Sequence, residues 1–174
     1  MKKYFLSDYQ PYHGGNNPAF DTSSKMLLDF KQGRAEAIEY WYPKVSRLIL
    51  SITGGTPFFI ATVPSSTFGK SHPGFSGLIE KLGYEFDILN AKKNLIARTE
   101  SIDKLATGGD RNISVHLNTL RVITAEAEYK PVILLDDVET TGNSIDAGVS
   151  KLRDGGYTVI ASIVLGKTVN SRHV

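Results

Sequence analysis

Cysteine is absent from the sequence, which excludes a disulfide framework and any thiolate metal site. The four histidines, at positions 13, 72, 116 and 173, show no metal-ligand spacing. No apolar run is long enough to span a bilayer, so no membrane partner is expected. The opening Met1-Lys2-Lys3-Tyr4-Phe5-Leu6-Ser7-Asp8 reaches an acid before any long apolar stretch develops and does not read as a signal peptide. By elimination, the expectation is a soluble cytoplasmic protein. Repeats and low-complexity linkers are missing as well. So is a marked charge excess: 20 Lys and Arg against 18 Asp and Glu give a net +2. That balance neither demands nucleic acid nor excludes it.

What is present is ordinary globular composition: 174 residues, 41% hydrophobic and 22% charged. This is enough for one domain with a proper core. We divide it into N-terminal strands and helices over 1–53 and a core over 54–174. The first 22 or so residues, rich in Tyr, Gly, Asn and Pro, predict short strands and turns. Ser23 and Ser24 are candidate caps for a helix carrying Met26, Leu27 and Phe30 and ending at Gly33. Ile38, Trp41, Val45, Leu48, Ile49 and Ile52 recur at helical spacing, with a kink or break expected at Pro43. Phe58 to Val63 predicts a buried strand, Phe75 to Leu82 a short helix, and Phe86 to Leu89 a further strand. Residues 91–111 are polar and predict a long mobile excursion. Ile113, Leu117 and Leu120 suit one helix face. Val132 to Leu135 and Tyr157 to Leu165 are continuous apolar strands flanking a helix that carries Ile145, Val149 and Leu152. Alternating helices and two-sided apolar strands predict an α/β fold, an open parallel sheet covered by helices on both faces.

The chemistry concentrates where the strand Val132-Ile133-Leu134-Leu135 ends in Asp136-Asp137-Val138-Glu139-Thr140-Thr141-Gly142-Asn143-Ser144. Ligands of open α/β sheets bind beyond the carboxyl ends of the strands. A helix N-terminus attracts anions, hydroxyls add donors, and Gly142 lets the backbone approach closely. This turn therefore suits phosphate. The adjacent carboxylates repel phosphate and suit sugar hydroxyls or a hydrated divalent cation. A ribose 5-phosphate group satisfies both halves.

The segment resembles the motif by which type I phosphoribosyltransferases bind 5-phosphoribosyl-1-pyrophosphate (PRPP). The resemblance implies that Asp136 and Asp137 contact the ribose hydroxyls or magnesium, directly or through water. It also implies that Thr140, Thr141, Gly142, Asn143 and Ser144 form the 5-phosphate loop. Some members carry an acid at the position of Thr140; here the Thr is assigned to binding, and no catalytic residue is named. The family fold is the same open parallel sheet with a small hood, which the N-terminal segment would supply. Family members bind pyrophosphate with a loop after an early strand, a position matched by Pro64, Ser65 and Ser66, with Lys70 adding charge. The stretch Arg98-Thr99, Leu105 and Gly109-Asp110-Arg111-Asn112, with Pro73-Gly74-Phe75-Ser76, is similar to the DNA-uptake competence group of ComF-type proteins. It implies a mobile basic loop bearing Arg98, Lys104 and Arg111. Two features depart from that group: His72-Pro73 replaces its Arg before Gly-Phe, and its cysteine-rich zinc module is absent.

The resemblance implies transfer of a phosphoribosyl group from PRPP to a nitrogenous acceptor, with magnesium as cofactor and a homodimer as a common family assembly. The alternative is a non-catalytic module that senses PRPP or a related phosphosugar, linked to DNA uptake or nucleic-acid processing. Gly166-Lys167-Thr168 lacks the rest of a nucleotide P-loop. Tyr40, Trp41 and Tyr42 read as helix packing rather than a stacking platform. His116 reads as a packed or exposed histidine, and His72 as a weaker candidate beside the pyrophosphate loop.

Overall fold

A computed structural model describes residues 1–90, 93–102, 112–123 and 131–169. Two short strands, β1 (Lys2–Phe5) and β2 (Asp8–Tyr9), open the chain. Next come α1 (Thr22–Lys31) and α2 (Ala35–Thr53), then β3 (Phe59–Thr62) and α3 (Pro73–Leu82). A small antiparallel pair, β4 (Ile96–Arg98) and β5 (Leu120–Val122), brackets α4 (Ile113–Thr119). The chain then forms the crossover expected from its apolar pattern: β6 (Pro131–Glu139), α5 (Asn143–Asp154) and β7 (Thr158–Thr168).

The main sheet has the order β1-β7-β6-β3, with β2 also pairing to β7, and every pairing is parallel. Side chains alternate between its two faces. Ile60, Ile133, Leu135, Ile163 and Leu165 pack under α1, α2 and α3. Phe59, Ala61, Val132, Leu134 and Val164 pack under α5 with Leu95 and Ile96. Burial on both faces explains why these strands read as unbroken apolar runs. Among the described residues no helix is long and apolar enough to cross a membrane.

Several expectations change. The N-terminal segment is not a hood set apart: β1 and β2 extend the main sheet beside β7, and α1 and α2 cover one of its faces. Asp21, not Ser23 or Ser24, caps α1, its carboxylate accepting from Ser24 N at 2.8 Å. Ser24 is buried, and its hydroxyl accepts instead from Gln10 N at 2.9 Å. α2 continues through Pro43, which lies on the exposed side; Trp41, Val45 and Ile49 on the buried face hold the helix across it. Gly74 of α3 is needed for packing, because a Cβ there would overlap the carbonyl oxygen of Phe30.

The strand expected over Phe86–Leu89 is reduced to a single parallel bridge, Phe58 to Ile88. Beyond it, two side chains act in place of a strand on the outer edge of β3. Asn90 accepts from Ile60 N at 2.9 Å and donates to Ile60 O at 2.8 Å. Asn94 accepts from Thr62 N at 2.9 Å and donates to Thr62 O at 2.7 Å. Each carboxamide satisfies one residue's peptide groups, which closes an edge that would otherwise present unpaired donors and acceptors.

Candidate functional site

Two turns at the carboxyl ends of neighbouring strands build the site. The first follows β6. The acids do not terminate that strand: its ladder to β7 runs through Asp136 to Glu139, opposite Val164 to Lys167. At Gly142 the backbone adopts φ 87°, a left-handed conformation that other L-residues rarely take, and α5 begins at the next residue, Asn143. Thr140 and Thr141 are exposed, and the Thr140 hydroxyl lies 3.0 Å from that of Thr168.

Beneath this turn lies a charge that the sequence did not expose. Glu139 is buried and accepts from Lys3 Nζ at 2.7 Å; Lys3 also reaches Asp146 at 3.4 Å. Burial pulls the Lys3 pKa down, but its bonds and charge attraction to Glu139 and Asp146 outweigh this and raise it. A lysine from β1 thus neutralises a carboxylate that would otherwise repel an anion at the turn.

The second turn, Pro64-Ser65-Ser66, follows β3 and is braced from a distance. Arg98 does not belong to a mobile loop. It is 5% exposed at the end of β4, where Leu95 and Ile96 anchor the strand in the core. Its guanidinium donates to Ser65 O at 2.7 Å, Thr119 Oγ1 at 2.6 Å and Pro64 O at 3.5 Å. Ile102 N donates to Ser66 O at 2.8 Å. Burial lowers the Arg98 pKa, yet a guanidinium stays charged at neutral pH. Lys104 and Arg111 lie outside the described residues.

Between the turns sit the two acids, in different environments. Asp136 is buried; loss of solvent and then the neighbouring Asp137 charge push its carboxyl well above the ordinary aspartate range. Burial also pushes Asp137 upward, but His72 and Lys31 reverse the balance and hold it below the ordinary range. His72 Nε2 lies 2.9 Å from Asp137 Oδ2, and Lys31 Nζ lies 3.4 Å from the same oxygen. Phe75 N donates to His72 Nδ1 at 3.3 Å, so Nε2 carries the proton and donates to Asp137.

A cavity of about 420 Å³ brings these groups together: Pro64, Ser65 and Ser66 on one side, Asp136, Asp137 and Ser144 on the other. Lys31, Lys70 and Arg98 supply its positive charge. A smaller cavity of about 40 Å³ is lined by Thr140, Thr141 and Gly142 and shares Asp136 and Ser144 with it. His116 also lines the larger cavity and is buried, its pKa lowered by burial and then by Arg98. Its Nε2 lies 3.4 Å from Ser144 Oγ, and its Nδ1 has no partner among the described residues. With the proton on Nε2, His116 donates to Ser144 and leaves that hydroxyl free to donate into the cavity. α4 therefore meets Ser144 directly through His116 and the turn after β3 only by way of Arg98, which Thr119 holds.

The donor set limits what metal could sit here. Among the described residues no group of three or more His, Asp or Glu forms a cation cage. Two adjacent carboxylates do fit magnesium, which takes one or two protein carboxylates and fills its remaining positions with water and ligand phosphates. Of the residues that sequence reasoning undervalued, His72 had a signal only in its place shortly after the Pro64-Ser65-Ser66 turn. Lys3, Lys31 and His116 had none, since each acts across the fold. No family model and no curated protein matches the chain.

Proposed function

We propose that the large cavity binds PRPP and that the protein transfers its phosphoribosyl group to a nitrogenous acceptor. The observation that carries this reading is the joining, in one cavity, of Pro64-Ser65-Ser66, the acid pair and Ser144, with Gly142 and the two threonines in the adjoining recess. The ligand has a matching order: a 5-phosphate for the turn after β6, ribose hydroxyls for the carboxylates, and pyrophosphate for the turn after β3.

Each residue has a definite task in this reading. Thr140, Thr141, Ser144 and the first N–H groups of α5 hold the 5-phosphate. Asp137, ionised, accepts from ribose hydroxyls. Lys31, Lys70 and the Arg98-braced turn stabilise negative charge that develops on the leaving pyrophosphate. The bond from the anomeric carbon to the pyrophosphate oxygen breaks, and its electron pair leaves with pyrophosphate. A nitrogen lone pair forms the new bond to that carbon, and the nitrogen then loses a proton. Magnesium held by Asp136 and Asp137 would supply charge neutralisation for the pyrophosphate when bound.

The test is PRPP-dependent release of pyrophosphate across a panel of purine, pyrimidine and other nitrogenous acceptors. Release with at least one acceptor, abolished by Asp137→Asn, is the expected result. PRPP binding without release from any acceptor would replace the transferase reading with a PRPP-sensing module.

A further inference from the structure

A second cavity, also of about 420 Å³, lies on the far side of the turn after β3, and no step above uses it. The two cavities share a wall formed by residues 63–65 and 70–72. Its floor is apolar: Ile60 from β3 with Phe75 and Ile79 from α3. Lys70 and Lys93 line it, both exposed, and no Asp or Glu does among the described residues. Its potential is therefore of one sign, which selects an anion.

The remaining walls offer hydrogen bonds with spare capacity. Asn90 and Asn94 use their amides to close the edge of β3, but among the described residues each carbonyl oxygen accepts one bond, which leaves a second lone pair. Thr62 Oγ1 accepts from Asn94 Nδ2 at 3.0 Å, which leaves its own proton to donate. The volume falls within the roughly 300–1,000 Å³ of small-molecule sites.

From this set we infer that the second cavity binds a nucleoside monophosphate. The flat base lies over Ile60, Phe75 and Ile79, the polar side chains of Thr62, Asn90 and Asn94 meet the base edge or sugar, and the phosphate meets Lys70 and Lys93. An apolar floor without acids would not select a sugar phosphate lacking a base, and a purely apolar ligand would leave both lysines unused. Lys70 and the dividing wall are shared with the proposed PRPP site, whereas Lys93, Asn90, Asn94, Thr62 and the apolar floor line this cavity and not the first.

Calorimetric titration of AMP, GMP, CMP and UMP into the full chain tests it, with melting temperatures checked for each variant. Two substitutions touch only the second cavity: Ser76→Trp, on the exposed side of α3, fills it, and Lys93→Glu reverses one charge. At least one nucleotide should bind saturably to the wild type. Ser76→Trp should remove that binding, Lys93→Glu should weaken it by about tenfold or more, and Asp136→Asn should leave it in place. Should Ser76→Trp fail to fold, Lys93→Glu, in an exposed loop position, carries the test. Two outcomes overturn the inference: no saturable binding of any of the four at millimolar concentration, or binding unchanged by Lys93→Glu. PRPP binding relies on Asp136 and not on Lys93, so the two assignments fail separately.

Discussion

The two turns that frame the large cavity hold their shapes in opposite ways. The turn after β6 is made by its own sequence: a left-handed glycine at Gly142, and a helix that starts at the next residue. The turn after β3 has one local bond, Thr67 N donating to Ser65 Oγ at 3.2 Å, and no left-handed glycine between Pro64 and Ser66; its peptide carbonyls rely on distant partners. Its carbonyls are held by Arg98, 33 residues away from Ser65 and 34 from Pro64, and by Ile102. A locally encoded turn tolerates change elsewhere in the fold, whereas a braced turn depends on its brace.

The largest expected effect therefore comes from removing the brace. Arg98→Ala leaves Ser65 O and Thr119 Oγ1 without their donor and should destabilise the fold by about 2–4 kcal/mol in urea denaturation. It should also weaken PRPP binding. Arg98→Lys should recover little, because a single ammonium cannot replace the fork. A loss below about 0.5 kcal/mol, the range of ordinary surface substitutions, would show that the turn supports itself.

Next in size is Asn94→Ala, which strips the edge of β3 just before the braced turn. Unpairing the Thr62 peptide groups should cost about 1–3 kcal/mol, seen as faster amide exchange at Thr62. Gly142→Val tests the locally encoded turn. Forcing a β-branched residue into that conformation should cost about 1–2 kcal/mol and crowd the contact with Lys3 Nζ, which lies 3.4 Å from a Cβ built there. Its diagnostic result is loss of PRPP binding with the melting temperature of the fold only modestly lowered.

The smallest stability effects, of opposite sign, are expected at the acid pair. Asp136 has a folded pKa above its unfolded value. Its carboxyl costs nothing in acid and destabilises as pH rises above the ordinary aspartate range, until the folded group itself ionises. Asp136→Asn should therefore match wild-type stability in acid and equal or exceed it at neutral pH. Asp137 has a depressed pKa, so its stabilisation is present above the unfolded pKa and fades as pH falls through the folded one. Asp137→Asn should be less stable than wild type at neutral pH, with the gap closing in acid. Denaturation midpoints of both variants across this range check the assignment; the same pH trend in both would refute it.

This contrast also explains what was legible in the sequence. The unit from β6 to β7 and the glycine turn within it were readable because strand, glycine and helix start are consecutive. The paired strands β6 and β7 were visible as apolar runs because both faces are buried. The role of Arg98 was not readable, since a polar stretch hides the three-residue strand that carries it inward. Lys3, Lys31 and His72 reach the site from β1, α1 and the α3 cap, and no local pattern marks such convergence. The hood expectation failed for a related reason: β1 is only four residues long, two of them lysines, and its register with β7, Lys2 opposite Ala161 through Phe5 opposite Val164, is what shows that it belongs to the sheet.

The most direct test of the central claim is calorimetric titration of PRPP with magnesium into wild type, Asp136→Asn and Asp137→Asn, with ribose 5-phosphate as the control ligand. Saturable binding to wild type, tighter than that of ribose 5-phosphate, and strong weakening in both variants are expected. Absence of PRPP binding, or equal affinity in all three proteins, would contradict the claim.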